Sequence, residues 1–234
     1  MNAGRRFVIG DVHGCVDELE RLLDSLAPVA DDTVCFLGDY VDRGPDPRAV
    51  VERLIRLQGE GPQCVFLKGN HEDMFLAFMG RPGRHGDAFL WNGGNATLAS
   101  YGCDGMGGAE VAARLPESHA AFLAGLRTHA FLGDFLCVHA GVRPSRPLAA
   151  QSEEDLLWIR EDFIKQPHPY PYTVLFGHTP QRDVLVDLPF KIGLDTGLVY
   201  GNRLSCLELD AQRVWQVRNG ERRVSQRHLE PRPS

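Results

Sequence analysis

Apolar residues in this chain come in short runs, and several of the runs end alike. "RRFVIG" closes at Gly10 and is followed by Asp11 and His13. "TVCFLG" closes at Gly38 and is followed by Asp39, Asp42 and Arg43. "CVFLKG" closes at Gly69 and delivers Asn70, His71, Glu72 and Asp73 in a row. "TVLFG" delivers His178, and "FLCV" passes straight to His139. In four of the five, Gly immediately precedes the polar residue, which suits a chain turning sharply around something compact. One strand ending in a polar loop is ordinary. Five runs with only Asp, His or Asn at the key positions point to one shared site.

Between the runs the apolar spacing becomes helical. "VDELERLLDSL" aligns Leu19, Leu22, Leu23 and Leu26 on one face, and "PRAVVERLIRL" does so with Val50, Leu54 and Leu57. Pro45 and Pro47 suit the start of the second helix. Residues 5–67 therefore read β-α-β-α-β, an α/β layout with parallel strands and right-handed crossovers. Ligands of such sheets gather at the carboxyl ends of the strands, where Asp11, Asp39 and Asn70 fall. Residues 72–128 read as an inserted helical cap, a place for substrate selection. Strand patterns return from 129, and "RLSCLELDAQRVWQV" reads as a hairpin around Asp210 and Ala211, near the end of a second sheet. Residues 1–218 are expected to form a single domain. The polar, Pro-containing stretch 219–234 is expected to be a disordered tail.

At 234 residues the chain can bury a sizeable core. A net charge of −6 argues against nucleic-acid binding, which needs a basic footprint, but not against a small phosphorylated substrate. Apolar runs are too short for a membrane span or a signal peptide, so the expectation is a soluble cytoplasmic protein with no membrane partner. The six Cys form no CxxC pair, and Cys35, Cys64, Cys137 and Cys206 lie in apolar runs as buried thiols do.

The polar set Asp11, His13, Asp39, Asn70, His139 and His178 combines carboxylate, amide oxygen and imidazole without thiolate. That donor mix suits two divalent metal ions such as Mn, Fe or Zn better than Mg or Ca alone. Two ions need a bridging carboxylate, and either Gly-Asp aspartate, Asp11 or Asp39, fits. Two ions sharing a hydroxide can attack phosphorus in line. Arginine grips phosphate oxygens through a planar fork, which makes Arg43 the first candidate and Arg160, in "LLWIRED", the second.

"GDVHG", "GDYVDRG" and "GNHE", followed by a lone "HAG" and a lone "GHT", resemble the motifs of PPP-type metallophosphatases of the calcineurin-like metallophosphoesterase superfamily, in family order across residues 10 to 179. "WNGG", "LLWIRE" and "LDTG" are similar to features of its small bacterial serine/threonine protein phosphatases. The resemblance implies two packed mixed β-sheets flanked by helices with a helical cap insertion. It implies Asp11 and His13 on a first metal, Asp39 bridging, and Asn70, His139 and His178 on a second, with Mn²⁺ the expected ion. It implies phosphate held by Arg43 and Arg160, and His71 as general acid oriented by Asp42. The expected activity is phosphomonoester hydrolysis by a bridging hydroxide, on a phosphorylated protein or a small phosphoester. The rivals are a dinucleoside polyphosphate hydrolase, whose family often lacks the acid found here at Asp42, a broad small-molecule phosphatase, and a non-catalytic metal-binding scaffold.

Other residues carry duller expectations. Glu72 and Asp73 are read as favouring the positive end of the next helix. Trp91, Trp158 and Trp215 are read as core, His119 and His129 as structural, and His168 as loop. His85 could touch substrate at the cap, and Asp195 could support the site from behind.

Overall fold

A computed structural model describes residues 4–230. The β-α-β-α-β unit forms as the spacing predicts. Strand β1 (Arg6–Ile9) leads to helix α1 (Val16–Leu26), β2 (Thr33–Phe36), helix α2 (Pro47–Gly59) and β3 (Gln63–Phe66). Pairing is parallel, β1 to β2 and β2 to β3. Pro47 opens α2 behind Asp46, whose Oδ1 accepts the Ala49 N–H at 2.9 Å.

The helical insertion starts two residues earlier than the sequence suggested, because Asn70 and His71 form the first turn of α3 (Asn70–Phe78). This helix is buried from Asn70 to Leu76, so it belongs to the core and not to an outer cap. The rest of the insertion comprises two short 3₁₀ turns, α4 (Gly94–Ser100), α5 (Gly108–Arg114) and α6 (Glu117–Ala124).

Strands β4 (His129–Leu132) and β5 (Phe135–Val138), helices α7 (Glu153–Trp158) and α8 (Glu161–Ile164), and strands β6 (Thr173–Phe176), β7 (Leu185–Asp187) and β8 (Lys191–Gly193) follow. The chain then forms β9 (Arg203–Glu208), β10 (Arg213–Arg218) and β11 (Val224–His228). One mixed sheet has the order β11-β10-β9-β1-β2-β3 and the other β4-β5-β6-β8-β7.

Side-chain alternation builds the layers. Val8, Cys35 and Leu207 of the first sheet meet Cys137, Leu175 and Ile192 of the second in one buried cluster between the sheets. Phe7, Ile9, Val34 and Phe36 point the other way, onto α1, α2 and the insertion. Val138, Val174 and Phe176 cover the second sheet's far face beneath α7 and α8. Among the described residues, no helix is long and apolar enough to cross a membrane.

Two expectations need correction. The β9–β10 hairpin forms, but β9 pairs antiparallel with β1, so it extends the first sheet and not the second. Residues 219–230 are not a disordered tail. After a turn at Gly220, β11 pairs with β10 along five registered positions from Val217–Val224 to Arg213–His228. The segment is polar because it is an edge strand, and its two apolar residues are its anchors. Val224 packs against the helix-side core and Leu229 against the cluster between the sheets. Residues 231–234 lie outside the described part of the chain.

Candidate metal centre and phosphate site

The five polar residues that follow the apolar runs meet at one edge, where the two sheets abut. Asp11, Asp39 and Asn70 come from beyond β1, β2 and β3, and His139 and His178 from beyond β5 and β6. All five are buried. The turning strain falls on the polar residues themselves. His13, Asp39, Asp42, Arg43 and His178 all have positive φ, between 44° and 70°, a conformation that non-glycine residues keep only where surrounding structure enforces it. The neighbouring glycines serve close approach. A Cβ on Gly69 would lie 2.1 Å from Asp39 Oδ1, and one on Gly177 2.1 Å from Asp11 Oδ1.

Several donor atoms face one another in a way that a bound cation would reconcile. His139 Nδ1 donates to the Leu37 carbonyl at 2.9 Å, so its Nε2 carries a lone pair. That Nε2 lies 3.0 Å from Asn70 Oδ1 and 3.3 Å from Asp39 Oδ1, both acceptors. His178 Nδ1 lies 2.9 Å from the same Asn70 oxygen. Likewise His13 Nδ1 donates to the Val41 carbonyl at 2.8 Å, which turns its Nε2 lone pair toward Asp39 Oδ2 at 3.3 Å. Histidine ligands of metals are commonly oriented by such backbone carbonyls. Two sets of ligand atoms, each within 4.8 Å, share Asp39: His13, Asp39 and His71, and Asp39, His139 and His178. The residues fit a pair of divalent cations with Asp39 between them. Asp11 lies at the same edge, where its carboxylate accepts the His178 N–H at 3.0 and 3.2 Å.

Burial works against charge throughout. It pushes the Asp11 carboxyl well above the usual range, helped by the charges of Asp195 and Asp39. Burial alone would raise Asp39 too, but the imidazoles of His139, His71 and His13 outweigh it and hold that carboxyl well below its ordinary value. Asp195, bonded to the Gly197 N–H at 2.9 Å, is pushed up to about 6 by burial.

His71 Nδ1 pairs with Asp42 Oδ2 at 2.6 Å, which leaves Nε2 facing Asp39 Oδ2 at 4.0 Å. Burial pushes both partners toward their neutral forms, Asp42 up to about 7 and His71 down to about 3. Arg43 Nη1 is 2.9 Å from His13 Nε2. Arg160 is exposed, and its charge reaches both His71 and His178. The charges of both arginines reach His71.

Sequence reasoning missed two supports and misplaced one aromatic residue. Glu72 is wholly buried, and its carboxylate accepts four backbone N–H groups. Oε2 takes those of Asp39 and Gly69, both at 2.9 Å, and Oε1 those of Tyr40 at 2.7 Å and Val41 at 3.1 Å. It caps its own helix as expected, but it also fixes the loop that carries Asp39. Thr97, in α4, donates to Asp42 Oδ1 at 2.5 Å and accepts the Asp42 N–H at 2.9 Å. Nothing local in the sequence marks it, since it lies 55 residues from its partner. Trp91 is not core but 92% exposed, and Tyr200 is 62% exposed with Arg43 Cζ 5.6 Å from its ring.

The other histidines fall away from the centre, except His85. It stands edge-on to Trp158 at 5.2 Å, and Trp158 in turn stands edge-on to His178 at 6.1 Å. His119 is tied to Tyr101 and Glu52, and His168 Nε2 to the Phe190 carbonyl.

A calcineurin-like phosphoesterase family profile matches residues 4–208. The chain is 25% identical to the asymmetrical bis(5'-nucleosyl)-tetraphosphatase PrpE of Anoxybacillus flavithermus, over 86% of this chain and 88% of that one. It is 26% identical to the protein of the same name from Oceanobacillus iheyensis, over 85% and 86%. The crystal structure of a candidate diadenosine tetraphosphatase superposes with a TM-score of 0.71 at 27% identity, covering 93% of this chain and 94% of that one. A serine/threonine phosphatase from Saccharomyces cerevisiae shares the fold, with a TM-score of 0.61 at 17% identity over 99% and 82%.

Proposed function

The chain belongs to the calcineurin-like phosphoesterases, and within that family we propose that it is a dinucleoside polyphosphate hydrolase, with diadenosine tetraphosphate as the model substrate. The relatives' names support this reading over the phosphoprotein phosphatase expected from the motifs alone. The observation that carries it in this chain is the pair of solvent-facing aromatic residues beside the phosphate arginine. Tyr200 lies against Arg43, and Trp91 lies two residues from Gly93, whose carbonyl accepts the Arg43 N–H at 3.1 Å. A polyphosphate held by Arg43 would bring its nucleosides to exposed rings, and base–aromatic stacking contributes roughly 1–3 kcal/mol per base.

In this proposal Asp11 and His13 would hold one divalent ion, Asn70, His139 and His178 a second, with Asp39 serving both; Mn²⁺ fits the donor set. When bound, such ions supply positive charge to phosphoryl oxygens and activate water. Arg43 and Arg160 grip the phosphate. His71, held at Nδ1 by Asp42, would offer a proton from Nε2 to the leaving oxygen in its doubly protonated form, which burial opposes and the negative charge of a bound phosphate would favour. That last pair favours a second activity, phosphomonoester hydrolysis, because an alkoxide leaving group needs a proton and a nucleotide phosphate does not.

The test compares kcat/KM of one Mn²⁺-loaded sample on diadenosine tetraphosphate, a phosphoserine peptide, a phosphotyrosine peptide and a nucleoside monophosphate. The reading requires the dinucleotide to be strongly preferred. Preference for the phosphoserine peptide would replace it with the phosphoprotein reading. Tyr200→Ala and Trp91→Ala should raise KM for the dinucleotide and leave p-nitrophenyl phosphate turnover nearly unchanged.

A further inference from the structure

Away from the metal centre, where β9, β10 and β11 meet the segment that follows His178, lies a cavity of about 700 Å³. Four arginines line it: Arg182, Arg203, Arg218 and Arg227. Arg227 is neutralised by Asp183 at 2.8 Å. Among the described residues, no carboxylate lies within 4.0 Å of the other three guanidinium groups. Glu230 is the remaining acidic residue on the wall. Arg5, Arg6, Arg21, Arg53, Arg56 and Arg143, by contrast, each carry an acidic partner.

The strand register sharpens the point. Arg203 and Arg218 are direct cross-strand partners in the β9–β10 ladder, and like charges directly opposite one another destabilise a sheet. At the other end of the same ladder, Arg213 faces Glu208, the favourable arrangement. The Arg203–Arg218 pair also lines a smaller cavity of about 260 Å³, together with Arg223 and Glu221. Among the described residues, no aromatic side chain lines either space.

We propose that this arginine-lined cavity is a second anion site, separate from the metal centre, that takes consecutive phosphates of a small polyphosphorylated molecule. Three guanidinium groups present planar donor forks that match phosphate oxygens. A bound polyanion would convert the Arg203–Arg218 repulsion into shared attraction. The volume lies within the usual range of small-molecule sites. A chain of two or three phosphates would present more oxygens to Arg182, Arg203 and Arg218 than a single phosphate would.

The probe is imidodiphosphate, a non-hydrolysable P–N–P anion, measured by equilibrium dialysis against the full metal-loaded chain at fixed ionic strength. The double variant Arg203→Ala/Arg218→Ala should bind one equivalent fewer than wild type, or bind it about 10–100-fold more weakly, the scale of losing charge-assisted contacts. Its kcat/KM on p-nitrophenyl phosphate should be unchanged, which keeps this site independent of the substrate reading above. Its melting temperature should hold or rise, since two opposed charges are gone. Arg182→Ala, outside both strands, should weaken the same binding step. Inorganic phosphate should fill the site less tightly than imidodiphosphate. Identical binding isotherms for wild type and the double variant, or loss of binding only in step with loss of turnover, would overturn the proposal.

Discussion

His71 and Asp42, both essentially without solvent exposure, share a 2.6 Å contact from Nδ1 to Oδ2. Their position decides which ring nitrogen of His71 faces the site. The Thr97 hydroxyl holds the far oxygen of Asp42 at 2.5 Å. The order Thr97–Asp42–His71 runs from the inserted helices to the reaction edge, and each member is fixed by the one behind it.

If this chain delivers a proton, the loss should depend on the leaving group. His71→Asn should slow phosphoserine peptide hydrolysis by about 10²–10⁴-fold, the usual scale of general acid catalysis. Hydrolysis of p-nitrophenyl phosphate, whose leaving group needs no proton, should fall much less. Asp42→Asn should follow the same pattern more mildly, and Thr97→Val more mildly again. Equal losses on both substrates, or loss of bound Mn²⁺ from His71→Asn, would return His71 to the ligand set.

Glu72 has a different signature. Glu72→Gln places an amide NH₂ against backbone N–H groups that the carboxylate now satisfies. Each buried donor left unpaired costs about 1–3 kcal/mol. The variant should show a lower urea midpoint together with reduced Mn²⁺ occupancy, because the Asp39 loop loses its brace. Unchanged stability with normal metal content would show that the loop holds itself.

Removing the metals is the most direct check on the acceptor-lined centre. Chelation should abolish turnover, and Mn²⁺ should restore it. Elemental analysis should find close to two ions per chain. Asp39→Asn should do more damage than Asp11→Asn, since Asp39 belongs to both ligand sets. A fully active, metal-free preparation would sink the scheme.

Acid stability should depend in part on Asp32, far from the site. Burial would raise its carboxyl, but the Arg5 guanidinium at 2.6 Å and the backbone N–H groups of Val29 and Arg5 outweigh burial and hold it below its ordinary value. The folded-state value is thus lower than the unfolded one. The stabilisation is present above the unfolded value, about 3.9, and is lost as pH falls through the folded one. Asp32→Asn should cost about 1–2 kcal/mol near pH 7, at the modest end because Arg5 is partly solvated. The wild-type advantage should shrink below about pH 4. Parallel denaturation curves for the two proteins at every pH would refute the assignment.

The polar residues that meet at the sheet edge were legible because their signal is local: an apolar run, usually a glycine, then a polar residue. The same locality located α1 and α2. What the sequence concealed depends on partners far along the chain. Thr97 is ordinary helix sequence until Asp42 is placed beside it. Glu72 looks like a helix cap because it is one, and its second task needs the Asp39 loop. The strand β11 was hidden by its polarity, since an edge strand buries little. Trp91 was assigned to the core on its residue type, which says nothing of where a cap loop ends. The motifs that announced phosphoester chemistry are shared across the superfamily, so they left the choice of substrate to surfaces such as those around Trp91 and Tyr200.

The seam between the two sheets has a mechanical consequence. Asp39 and Asn70 hang from one sheet, and His139 and His178 from the other. A cation held by all four would act as a clasp across the joint, on top of the apolar cluster that already glues the layers. Loading would then raise the melting temperature by mass action. Any substitution that lets the layers slide, such as Leu175→Ala in that cluster, would be felt first as a misfit between ligands and only later as unfolding.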